Sequence, residues 1–150
     1  MTRRTVLTSA TALPLAAQHA EAQEAATETR YQRGLAQLEA ISGPHGAAVV
    51  RSLDDIAPDL GRYIVEFAYG DVFSRDGLDV KTREIATVAA LTAMGTAAPQ
   101  LRVHMQAALR VGVTPAALIE TIMQMIPYVG FPAALNAVAI ARDVFATDHR

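Results

Sequence analysis

Residues 81–141, KTREIATVAALTAMGTAAPQLRVHMQAALRVGVTPAALIETIMQMIPYVGFPAALNAVAIA, carry polar groups at intervals along an otherwise apolar, helix-patterned run. Arg83-Glu84, His104, Gly112, Tyr128, Gly130 and Pro132 punctuate it, and the chain contains no cysteine. Polar side chains on apolar helix faces mark a candidate site, and the missing thiols remove disulfide redox chemistry. Asp79 is placed to cap the first helix of the run, and Gly95 to end it. The next helix is expected from about Pro99 to Val111, stopping at Gly112. Thr114-Pro115 is an N-cap and first-turn signal for a further helix through Ile126. Pro127 and Gly130 then break or kink the chain before a last helix from about Pro132 to Phe145.

Upstream, helical spacing continues. Tyr31, Leu35, Leu38 and Ile41 recur on one face of a helix over about Thr27–Ile41, and Ser42-Gly43-Pro44 ends it and opens the next. A second helix carries Val49, Val50, Leu53 and Ile56. Pro58 suits the first turn of a third, which runs towards Tyr69 and presents Leu60, Ile64 and Phe67. Ser74 to Gly77 reads as a loop. No run shows sustained strand alternation, so the expected fold is all-α: one helical bundle of about six to seven helices.

Composition agrees with a single domain. A chain of 150 residues with 51% hydrophobic content can bury a core, and a net charge of −2 leaves no basic footprint for nucleic acid. The only lysine is Lys81, so Schiff-base chemistry has one candidate. No H-E-x-x-H or comparable spacing gathers ligands, and neither metal nor cofactor is expected.

The first 22 residues read separately. Arg3-Arg4 begin a twin-arginine pattern, a modestly apolar run follows to Ala17, and Ala20-Glu21-Ala22 offers an A-x-A cleavage signal. The expectation is a leader over residues 1–22 that takes His19 with it. It leaves a helical domain over 23–150 in the periplasm or outside the cell; the alternative is a tail on a cytoplasmic protein. The apolar run is too short for a stable membrane span of about 20 residues.

The Arg83-Glu84 pair, the run His104-x3-Ala108-Leu109-x-x-Gly112-Val113-Thr114 and the run Tyr128-x-Gly130-x-Pro132 resemble, in order and spacing, the carboxymuconolactone decarboxylase family. That family shares its all-helical fold with the alkylhydroperoxidase D proteins, and the resemblance runs from about Tyr31 to Phe145. In the redox branch, C-x-x-C-x-x-x-H ends at the histidine equivalent to His104. The cysteine positions here are Ala97 and Gln100. The chain therefore resembles the thiol-free branch, and a peroxiredoxin-like cycle is disfavoured.

If the helices flanking Gly95 pack antiparallel, Glu84 lies 11 residues before that turn and His104 lies 9 after it. At about 1.5 Å rise per residue the two reach similar heights. Glu84 shares a face with Val88 and Leu91, and His104 shares one with Leu101, Ala108 and Val111. Both can point inward and meet. In the thiol branch an equivalent pair relays protons, which implies that Glu84 polarises His104 for proton transfer.

The resemblance implies a cofactor-independent decarboxylase. The family's namesake removes CO2 from a carboxylated unsaturated lactone, and the electrons left behind spread through the conjugated double bond to the lactone carbonyl. Carried onto this chain, His104 transfers the proton, Glu84 orients the ring and Arg83 binds the anion, with Glu66 and Tyr128 as further pocket residues. Isomerisation or lactone hydrolysis of a related small acid uses the same groups. The family's assemblies imply a homo-oligomer, a trimer or hexamer.

Plainer readings stand beside these. A lone histidine on a helix more often packs or is solvated than catalyses. Arg83 with Glu84 is equally an ion pair, Glu66 an anchor between helices, and Tyr128 a packing aromatic. His45 and His149 lie near helix ends and read as solvated. A non-catalytic oligomer that binds a ligand or partner through its alanine- and methionine-rich faces is the rival from another class.

Overall fold

Gly43 and Gly130 divide the two longest helices. Each has a backbone that an L side chain rarely adopts, with φ of 52° and 76°. The computed structural model describes residues 15–148, with side chains over 30–147. The Arg3-Arg4 pattern and His149 lie outside the described residues, and the side chains of His19 and Ala20-Glu21-Ala22 lie outside those described. Helix α1 (Leu15–Arg51) turns at Gly43, with Pro44 opening its second half. Helix α2 (Pro58–Tyr63) runs directly into a π-helical segment, Ile64–Phe73. Then come α3 (Val80–Met94), α4 (Ala98–Arg110) and α5 (Pro115–Asp148), the last bent at Gly130.

The described residues are all-α, as expected. They form five α-helices and one π-helical segment, fewer than the six to seven helices expected, because the breaks at Gly43 and Gly130 bend α1 and α5 without opening loops. The capping signals act as their chemistry dictates. Asp79 accepts a bond from the Thr82 amide at 2.7 Å, and Thr114 Oγ1 accepts one from the Ala117 amide at 3.1 Å. The bend at Gly43 exposes the last carbonyls of the preceding turns, and the Arg110 side chain covers them by donating to Ala40 and Glu39.

Two expectations are corrected. The second helix ends at Arg51 and not near Ile56, because residues 53, 54 and 56 take three-residue turns instead, and Ile56 is exposed. On the next element Leu60 and Phe67 also face outward, and Gly61, Val65, Glu66, Tyr69 and Gly70 are buried. Within residues 64–73 the π-helical bonds span five residues and the buried positions recur at intervals of four and five, which leaves Phe67 outward; Leu60 lies in the α-helical turn before it, whose buried position is Gly61.

Two apolar clusters meet at α4. One joins Val88 of α3, Leu101, Met105 and Ala108 of α4, and Leu118, Ile122, Ala134, Ala137, Ala141 and Val144 of α5. The other joins Leu38 and Ile41 of α1, Val65 and Tyr69 of the π segment, and Ala107 of α4. Each large side chain so buried contributes roughly 1.5–3 kcal/mol. Helix α5 is long and apolar enough to resemble a membrane span by composition alone. Its buried face supplies the first cluster, and Pro127, Gly130 and Pro132 interrupt it. Helix α4 is thus walled on two sides, which positions whatever its remaining face carries.

Candidate active site

Glu84 and His104 converge. The antiparallel turn at Gly95 sets α3 against α4, and His104 Nδ1 lies 3.0 Å from Glu84 Oε2. Glu84 has no exposed surface, whereas the histidine side chain is about one-fifth exposed. Nδ1 is therefore held by the carboxylate, and Nε2, at the opposite edge of the ring, is the nitrogen left for another molecule. The second carboxylate oxygen, Oε1, has no hydrogen-bond partner among the described residues. A buried carboxylate held by one imidazole carries a desolvation cost, and such costs concentrate where chemistry is done.

His104 forms part of the wall of a cavity of about 350 Å³ between α1, the π segment, α3 and α4. Leu38, Val49, Ile64, Phe73 and Val103 make it mainly apolar, and Tyr69, Thr87 and Gln100 add neutral polar groups. Among the described residues, neither lysine nor arginine is in this wall. Gln100, at a position where the redox branch carries a thiol, lines the cavity, and Ala97, at the other, is buried. A small, mainly apolar molecule suits the volume and the lining.

The other expected site residues lie elsewhere. Arg83 is next to Glu84 in sequence, and adjacent residues on a helix do not share a face. Its guanidinium donates to the carbonyls of Arg75 at 2.6 Å and Leu78 at 3.1 Å, which fastens the loop before α3. Glu66 is buried 3.5 Å from Arg62 and is not in the cavity wall. Tyr128 projects outward near the bend in α5. Among the described residues, no three His, Cys, Asp or Glu side chains gather as a metal set.

Tyr69 and Ser42 are not among the site residues that the sequence marks. The Tyr69 hydroxyl lies 2.8 Å from Ser42 Oγ, and both side chains are buried. Burial pushes the Tyr69 phenol above its usual range; the Ser42 hydrogen bond opposes this in part, and the nearby Glu84 charge reinforces it. The available signal was a lone tyrosine before a glycine in the apolar run IVEFAYG. In the sequence Ser42 reads only as part of a helix break.

The sequence model of the carboxymuconolactone decarboxylase family matches residues 58–143. A 4-carboxymuconolactone decarboxylase of Acinetobacter baylyi is 37% identical over 119 residues, which cover 79% of this chain and 88% of that protein. An uncharacterized 15.0 kDa protein of Paracoccus denitrificans is 38% identical over 100 residues, 66% of this chain and 75% of that protein.

Proposed function

The chain belongs to the carboxymuconolactone decarboxylase family, and from that membership we propose that it is a cofactor-independent carboxy-lyase acting on a carboxylated unsaturated lactone of the 4-carboxymuconolactone type. The observation that carries this reading is the 3.0 Å contact between His104 and a wholly buried Glu84 at the wall of an apolar cavity. The substrate supplies its own electron sink. As the carbon–carboxylate bond breaks, its electron pair moves through the conjugated double bond onto the lactone carbonyl oxygen, and CO2 leaves.

His104, as imidazolium, then adds a proton to the carbon next to that carbonyl, and the carbonyl re-forms. Glu84 accepts the Nδ1 proton in a hydrogen bond, fixes the ring and offsets its positive charge. The neutral imidazole regains its proton from solvent. An apolar wall favours loss of a carboxylate as neutral CO2, since charge that was solvated in water becomes spread over the larger dienolate.

The test uses purified protein with no added cofactor. It should consume a carboxylated unsaturated lactone with stoichiometric CO2 release, and His104→Ala should lower turnover at least about a hundredfold, the scale of a positioned acid or base. Equal turnover in that variant removes the assigned role. Stoichiometric ligand binding without turnover of any such acid favours the binding protein instead.

Two further parts of the proposal concern context. Exposed apolar side chains on α5 support assembly into a homo-oligomer. The Arg3-Arg4 pattern and the Ala20-Glu21-Ala22 signal support export with cleavage near Gln23. Mass spectrometry of the exported product that finds residues 1–22 intact contradicts the cleavage.

A further inference from the structure

We propose that Tyr69 is a catalytic residue of the same cavity, its hydroxyl donating a hydrogen bond to the lactone carbonyl oxygen as negative charge gathers there, with Ser42 as the residue that positions it. The inference rests on the decarboxylase reading and supplies what that reading lacks, a donor for the developing oxyanion.

Among the described residues the cavity wall contains no lysine or arginine, so within them stabilisation of a dienolate falls to His104 and to neutral donors. His104 is committed to the proton that ends at carbon. Of the neutral groups, the Thr87 hydroxyl donates to the Arg83 carbonyl at 2.9 Å, one turn back in its own helix. Gln100 lies at the exposed end of the wall, where its amide can bond to water. Tyr69 remains.

Its hydroxyl is prepared for the task in three ways. It is fixed, because the ring stacks on Phe73 with centroids 5.1 Å apart, and the hydroxyl is 2.8 Å from Ser42 Oγ. The backbone beneath it is fixed too. A Cβ on Gly34 of α1 would lie 2.1 Å from the Val65 carbonyl oxygen, and one on Gly70 would lie 2.9 Å from that of Arg30, so the two elements touch through main chain. It also keeps its proton, since burial and the Glu84 charge both oppose ionisation. When Ser42 donates to the phenol oxygen, the phenol proton is not spent in that bond and can be offered to a molecule in the cavity that Tyr69 lines. A preorganised donor of this kind acts most strongly on the charge that appears only during reaction.

No proton leaves Tyr69 in the step. The electron pair of the breaking carbon–carboxylate bond moves onto the carbonyl oxygen, CO2 departs, Tyr69 shares its hydrogen with that oxygen, and His104 adds the proton at carbon.

The experiment pairs kinetics with binding of tetronate, a lactone whose stable enolate anion resembles the dienolate, and of a neutral butenolide. Tyr69→Phe should lower kcat about a hundredfold, the usual effect of losing one oxyanion donor, with KM changed only a few-fold. It should weaken tetronate binding and leave butenolide binding as in the wild type, a split that a merely structural role does not produce. Ser42→Ala keeps the ring and should give a smaller loss in the same direction, so it carries the test if Tyr69→Phe fails to fold. An active wild type with Tyr69→Phe within twofold of it, or Tyr69→Phe and Ser42→Ala binding tetronate as the wild type does, overturns the assignment alone. A wild type inert towards every carboxylated lactone overturns the decarboxylase reading and the assignment with it.

Discussion

Glu84 is wholly buried and among the described residues makes a single side-chain hydrogen bond, accepted at Oε2 from His104 Nδ1 at 3.0 Å, while its other oxygen is unpartnered. A group placed only for stability would be better satisfied. Replacing it by glutamine keeps the shape and removes the charge. Glu84→Gln should therefore leave the melting temperature equal to the wild type or a few degrees higher, since the cost of burying a charge disappears. Turnover should fall at least about tenfold, as when a carboxylate that holds a catalytic imidazole is neutralised. Calorimetry and a CO2-release assay on the same preparation check both halves. A large drop in melting temperature with full activity assigns the pair to the fold instead.

That pairing was legible in the sequence because it depends on quantities a sequence contains: the rise per residue, the turn at Gly95 and the faces shared with Val88 and Leu101. The helical class, the caps at Asp79 and Thr114 and the bends at Gly43 and Gly130 were legible for the same local reasons. The rest of the cavity was not. Tyr69 turns inward on a π-helical segment, residues 64–73, that packs against a distant glycine, Gly34, and no local pattern encodes that contact. Arg83 was drawn to the site by its neighbour in sequence, and the helix points it away to the Arg75 and Leu78 carbonyls.

Alkaline pH should expose the burial of Tyr69. Its folded-state pKa is raised, chiefly by burial, above the ordinary value of about 10 that it has in the unfolded chain. Below that value both states keep the proton and the contribution is complete. Between it and the higher folded value the unfolded state alone has lost the proton, so stability falls as pH rises. The melting temperature of the wild type should therefore decline above about pH 10 more steeply than that of Tyr69→Phe. Parallel declines in a thermal-melt series contradict it.

The contact between α1 and the π segment should not tolerate a methyl group. At Gly34 the added Cβ would lie 2.1 Å from the Val65 carbonyl oxygen, a backbone atom that can yield only if a whole element moves. Arg30 pairs with Asp71 and Arg33 donates to the Gly70 carbonyl at 3.0 Å, so the elements are also tied together at their edges. Gly34→Ala should cost about 1–3 kcal/mol or more in urea unfolding, the range for overpacking. Gly77→Ala is the control, because a Cβ there meets nothing within 4 Å. Equal midpoints for the two variants exclude the close contact.

The outer face of α5 around its bend should bury itself against a second copy of the chain. Tyr128, Phe131 and Leu135 are 75%, 67% and 65% exposed, an amount of aromatic and aliphatic surface in one stretch that water penalises. The other face of the same helix already packs in the core, so a charge introduced outward leaves the fold intact. Phe131→Glu combined with Leu135→Glu should therefore shift the mass measured by light scattering from an oligomer towards the 16.0 kDa chain, with the helical circular dichroism retained. The Glu84–His104 pair lies within one chain, so loss of turnover on dissociation, with the fold unchanged, would mean that a neighbouring copy completes the cavity. A wild type that already runs as a monomer removes the assembly altogether.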